Sequence, residues 1–210
     1  MSGKRLWIAL LLAVTMLAGS AVAQKNELAG GLGRTFVANQ GIQQGAVPLL
    51  NNKVHFGNGL SFEINYARRL LGGGFLALDG EIPFVGNPDE DLGSGNGAVP
   101  MTYSSYFVTP SARLKVFADS GIQPWVSLGG GYGRFNISKT QVYGGINPGP
   151  TSKSSGLLQA GLGLDVKTFS KITLRLAARD FWSTSLPLNV ITGKTHQHNI
   201  VVTGGIAYRF

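Results

Sequence analysis

From about residue 27 to residue 210 apolar and polar residues alternate in one segment after another. The pattern is plainest at the end, where Ile200, Val202, Gly204, Ile206, Tyr208 and Phe210 share one parity. A period of two puts successive side chains on opposite faces of an extended strand. Eight strands are predicted, near 27–36, 56–68, 75–85, 102–117, 122–136, 156–167, 172–182 and 197–210. Between them the connections alternate in length: 37–55, 86–101, 138–155 and 183–196 are long, whereas 70–74, 118–121 and 168–171 are short. Long loops at one end and tight turns at the other are the plan of an up-and-down barrel that crosses a membrane.

One parity carries the apolar side chains: Leu60, Phe62, Ile64 and Tyr66 on strand two, Leu76, Leu78, Ile82 and Phe84 on strand three, Leu174, Leu176 and Ala178 on strand seven. The opposite parity carries Glu63, Asp79, Glu81, Arg113, Lys115, Asp165, Lys167, Arg175, Arg179 and Arg209. Charges of both signs on the face turned from lipid must meet one another or water, because isolated buried ions are costly. The expectation is therefore an all-β, eight-stranded antiparallel transmembrane β-barrel whose lumen is plugged by paired charges. Trp125 and Phe117, on the inward parity, are expected to help close the turn end. Pro83, Pro110 and Pro124 fall inside these strands, where each removes a ladder donor, so bulges or altered boundaries are expected there.

The N-terminus fits an exported chain. Lys4 and Arg5 precede an apolar run from Leu6 to Leu17, and Ala21, Val22 and Ala23 supply a small-residue cleavage site, so residues 1–23 read as a signal peptide and 24–210 as the barrel domain. The apolar run is too short to span a bilayer as a helix. Cleavage removes two positive charges and lowers the net charge from +8 to +6. The remaining basic residues are dispersed and form no nucleic-acid motif, so lipid phosphate explains the excess better than nucleic acid does. Cysteine is absent, which removes disulfides without locating the protein.

Aromatic residues fall where girdles belong: Phe36, Phe84, Tyr132 and Trp182 toward the outer rim, Tyr66, Tyr208 and Phe210 toward the periplasmic one. Arg34 and Arg134 share the lipid-facing parity near the outer rim, where each is either a contact to lipid phosphate or a solvated rim charge. The glycine clusters at 72–74 and 129–133 lie on strand or turn, not before a helix, and are not phosphate loops. His55, His196 and His198 fall at outer strand ends. A metal site there lacks a well-placed carboxylate or thiolate, and they read as rim histidines. Asp89, Glu90 and Asp91 read as a solvated loop tip without calcium-loop spacing. Ser183 and Ser185 near His196 and His198 carry no recognisable catalytic signature, so no catalytic residue, cofactor or metal is expected.

The signal peptide, the eight alternating strands, the four long loops and the terminal Tyr208-Arg209-Phe210 together resemble the small outer-membrane β-barrel superfamily that includes the OmpA transmembrane domain and OmpX-like proteins. That resemblance implies export to the outer membrane of a Gram-negative-type bacterium. It also implies that Phe210, with Tyr208, belongs to the signal read by the barrel-assembly machinery. With Phe210 as the last residue, the peptidoglycan-binding domain of full-length OmpA-type proteins is expected to be missing. The expected role is non-enzymatic and structural or surface-binding: a barrel in outer-membrane lipid that presents its long loops to an extracellular ligand. A narrow pore for small solutes and a lipid-modifying enzyme are the alternatives.

Overall fold

A computed structural model describes residues 26–43, 53–94 and 98–210, so the signal peptide and cleavage site expected over residues 1–23 lie outside the described residues. Every described element is a strand: β1 (Asn26–Val37), β2 (Gln40–Gly41), β3 (Lys53–Phe56), β4 (Leu60–Gly73), β5 (Leu76–Ser94), β6 (Thr102–Val108), β7 (Ser111–Val116), β8 (Ile122–Ile137), β9 (Ser152–Lys167), β10 (Ile172–Thr184) and β11 (His196–Arg209). All pairings are antiparallel. The ring closes because β1 pairs with both β4 and β11, from Glu27↔Ala67 on one side to Glu27↔Arg209 on the other. Beyond β11, Phe210 extends the seam: its amide donates to the Asn26 carbonyl at 2.9 Å and its carbonyl accepts from the Asn26 amide at 3.1 Å.

The wall strand expected over 102–117 is broken at Thr109 and Pro110. Its halves, β6 and β7, both lie between β5 and β8, so the wall has eight strands among the described residues. Proline cannot donate to the ladder. Neighbouring groups bridge the gap: Thr109 donates its amide to Pro83 O at 3.2 Å, and Gly130 donates to Pro110 O at 3.3 Å. Pro83 and Pro124, by contrast, sit inside unbroken β5 and β8, in register with Asn65 and Leu164.

Two expected boundaries are corrected. Residues 86–94 are not loop, because β5 continues to Ser94 and carries β3 and then β2 on its outer extension. Residues 56–59 do not begin the second wall strand, which starts at Leu60; His55 lies on β3, opposite Gly93. The extension works because the register shifts between Asn87 and Glu90, adding a residue to β5 that turns both side chains inward.

The alternation sorts the wall into faces. Leu32, Leu60, Leu128, Leu162, Leu176 and Ile206 are exposed on the outside, whereas the charged residues of the opposite parity are buried within. Phe117 does not close the lumen: its backbone takes φ 53°, which resets the alternation, and its ring is 49% exposed against Phe75, with centroids 5.0 Å apart. Phe75, Phe117 and Phe169 thus tip the three tight turns with exposed aromatic rings.

The hydrophobic core occupies the other end, at the long connections. Val85, Phe107, Phe135, Leu157, Phe181 and Val201 point into the lumen from the wall and merge with Ile42, Val54, Phe56, Leu92, Val99, Leu186 and Leu188 from the connections. Phe107 stacks on Phe181 at 4.6 Å and meets Phe135 edge-on at 5.7 Å. The described parts of the long connections therefore form a packed cap that shares its core with the barrel.

Candidate functional site

Below this apolar storey the lumen is filled by ion pairs. Glu27 is the hub, accepting from Arg175 at 2.6 Å, Arg113 at 2.8 Å, Lys115 at 3.0 Å and Arg209 at 3.1 Å. Asp165 holds Arg175 as a fork, at 2.8 Å to Nε and 2.7 Å to Nη2, and also meets Lys115 at 3.0 Å. Asp79 joins Arg113 at 2.9 Å and Arg69 at 3.3 Å. One level nearer the cap, Arg179 bonds Glu63 at 3.0 Å and Glu81 at 2.7 Å, and Arg113 reaches Glu81 at 3.3 Å. Charge-assisted, partly bidentate contacts of this kind are the strong class of hydrogen bond.

Trp125 stands at the centre of the lattice. Its indole N–H donates to Asp165 at 3.1 Å, and the guanidinium carbons of Arg113, Arg175 and Arg179 lie 5.7, 5.7 and 5.1 Å from the ring centroid. A cation over an indole face is attracted by the ring quadrupole. Space for the ring comes from Gly163 on the adjacent strand, where a Cβ would lie 2.3 Å from the indole.

Nine of the ten inward charges read from the sequence are in this lattice. Lys167 is not: it is the last residue of β9, at the turn-end mouth, and its ammonium donates to the Asp119 carbonyl at 3.1 Å. The sequence reading omitted Glu27 and Arg69, although Glu27 shares its parity with the inward Ala29 and opposes that of Leu28 and Leu32. A vestibule of about 390 Å³ opens below the lattice, lined by Glu27, Asp79, Arg69, Lys167 and Arg209 among others.

In the cap, Glu90 is buried and not part of a solvated tip. Its carboxylate accepts from the Gly59 amide at 3.0 Å and from Asn87 at 2.5 Å. Gly59 is required there, since a Cβ would lie 2.5 Å from Glu90 Oε2. Burial pushes the Glu90 carboxyl up to about 7, opposed by its two hydrogen bonds and reinforced by Asp91 and Asp89. Burial, with Glu90 nearby, also holds the Tyr103 phenol well above its usual range.

On the outer surface of the wall, Arg34 donates to the Asn58 carbonyl at 2.7 Å, and Arg134 contacts Asn136 and Ser154. With β1 and β8 four wall strands apart in either direction, the two arginines stand on opposite sides of the barrel. Tyr208 and Phe210 stack outward at 6.1 Å at the turn end. His196 and His198 also face outward, and here the structure supplies the carboxylate the sequence reading lacked. Asp180 Oδ2 lies 2.6 Å from His198 Nδ1, and the Trp182 ring lies 5.4 Å from His196 and 6.1 Å from His198. Ser183 and Ser185 are buried on the other side of the backbone, and among the described residues no three metal-ligating side chains converge.

No family model and no curated protein matches the chain. Solved structures do. Neisserial surface protein A is 11% identical, aligned over 90% of this chain and 100% of its own, with a TM-score of 0.57. The outer membrane protein OprG of Pseudomonas aeruginosa is 12% identical over 90% and 96%, with a TM-score of 0.52. Ail, the attachment invasion locus protein of Yersinia pestis, in complex with the heparin analogue sucrose octasulfate, is 13% identical over 90% and 100%, with a TM-score of 0.51. At such identities the likeness is one of fold, and the fold of this chain is that of the small outer-membrane β-barrels.

Proposed function

We propose that the chain is an integral outer-membrane protein whose closed barrel anchors a rigid cap for recognition at the cell surface, and that it is not a conduit. The observation that carries this reading is the lumen itself: an apolar storey continuous with the cap lies above a lattice of buried ion pairs. Among the described residues buried side chains occupy both storeys, and an eight-stranded ring is only wide enough for its side chains to fill. The exposed apolar belt with aromatic residues at both rims fits a bilayer, with the tight turns on the periplasmic side.

Recognition is assigned to the cap because its tips carry exposed apolar side chains on a packed base. Tyr143 and Ile146 are 73% and 87% exposed on the connection after β8, and Ile191 projects from the connection after β10. Loops held by a rigid scaffold are where binding usually resides. Outer-membrane lipid around the belt, the barrel-assembly machinery at Tyr208 and Phe210, and an extracellular ligand at the cap are the partners this reading requires. Planar-bilayer recording tests it: the inserted wild-type barrel should show no stepwise conductance, and steady ion-conducting openings would replace this reading with the pore.

A further inference from the structure

The wall carries one feature that a passive belt does not need. Asp180 lies on the lipid-facing side of β10, between Ala160 of β9 and Ile200 of β11, with apolar residues below it. A carboxylate on that face is unfavourable in proportion to its depth. His198 engages Oδ2, but Oδ1 is shut off from solvent and meets no donor among the described residues. Ala160 beside it and Ala178 beneath it interrupt an otherwise leucine-rich belt, and with Leu162, Ile200 and the β9–β10 backbone they outline a dent of about 230 Å³. Trp182 and the two imidazoles lie on the cap side of Asp180.

We propose that this dent and the Asp180–His198 pair form a binding site for an outer-leaflet lipid whose headgroup carries ammonium or hydroxyl donors beside a phosphate. The acyl chain fills the apolar dent, and a headgroup donor bonds the accessible Oδ2 of Asp180, whose side chain is 36% exposed. The carboxylate can only accept, so Nδ1 of His198 carries the proton that bonds it. The inference rests on the membrane reading above.

The test uses the full barrel in mixed micelles containing equal amounts of phosphatidylethanolamine, phosphatidylcholine and a phosphorylated glucosamine-disaccharide glycolipid, with retained lipid read by native mass spectrometry. Phosphatidylcholine has the same phosphate without a donor. The wild type should retain phosphatidylethanolamine or the glycolipid over phosphatidylcholine by roughly tenfold, the worth of one charge-assisted hydrogen bond. Whichever is retained identifies the source of the donor. Asp180→Leu should bring the ratio to about one, and Ala178→Leu, which fills the dent, should abolish retention of all three. Both substitutions add apolar surface to the lipid face and are compatible with folding. A wild-type ratio near one, a preference that survives Asp180→Leu, or undiminished retention in Ala178→Leu overturns the site. A barrel that fails to enter micelles at all overturns instead the membrane reading beneath it.

Discussion

Replacing Arg179 by methionine should destabilise the barrel more than the same change at Arg175, although Arg175 makes the shorter contacts. Removing one partner of a buried ion pair costs about 3–5 kcal/mol, because the remaining charge is left without compensation. The lattice decides where each variant falls in that range. Loss of Arg175 leaves Asp165 with Lys115 at 3.0 Å and Trp125 at 3.1 Å, and leaves Glu27 with Arg113, Lys115 and Arg209, all within 3.1 Å. Loss of Arg179 leaves Glu81 with Arg113 and Asn65 but strips Glu63 of its cation, with Thr203 at 2.9 Å as its remaining hydrogen bond. Arg175→Met should therefore cost about 3 kcal/mol and Arg179→Met about 4–5 kcal/mol. Adding Glu63→Gln to Arg179→Met should recover about 2 kcal/mol, since the stranded charge is then gone. Urea unfolding in detergent micelles, followed by the heat-modifiable gel shift, measures all of these. Equal costs for the two single variants, or no recovery in the double variant, would refute the idea that neighbouring cations share the load.

Glu90 makes the cap pH-dependent. With its carboxyl raised from 4.5 to about 7 in the folded cap, the cap is most stable below pH 4.5 and loses about 3 kcal/mol as pH rises to 7, where the charged form must be buried. Hydrogen exchange at Lys53–Phe56, corrected for intrinsic rates, should show faster opening at pH 8 than at pH 5; Glu90→Gln should flatten the difference, and an unchanged slope in that variant would rule Glu90 out as its source. At the other end, Phe210→Ala keeps both backbone bonds to Asn26. It should fold in detergent within about 1 kcal/mol of wild type yet insert poorly into the outer membrane of cells, and normal insertion would remove Phe210 from the assembly signal.

The wall was legible because lipid on one side and a filled lumen on the other impose a strict period of two, which survives even the break at Pro110. What escaped the sequence reading did so for separate physical reasons. Phe107, Phe135 and Phe181 lie on the inward parity, where polar residues were expected, because the lumen changes character along its axis and period alone carries no information about height. The extension of β5 is hidden by its bulge, which shifts the phase between Asn87 and Glu90 so that the alternation seems to end. Phe117 was misplaced because its left-handed backbone resets the phase. Asp180 was readable from the parity of Leu174, Leu176 and Ala178; its contact with His198 was not, since it needs the β10–β11 register.

The two storeys of the lumen also respond to temperature in the same direction. Apolar burial weakens on cooling, so the phenylalanine layer beneath the cap contributes least in the cold. Burying charge becomes less unfavourable as temperature rises, so the lattice around Glu27 and Trp125 holds best when warm. Stacked in one tube, they weaken together in the cold, so cooling rather than warming is the condition in which neither storey compensates for the other.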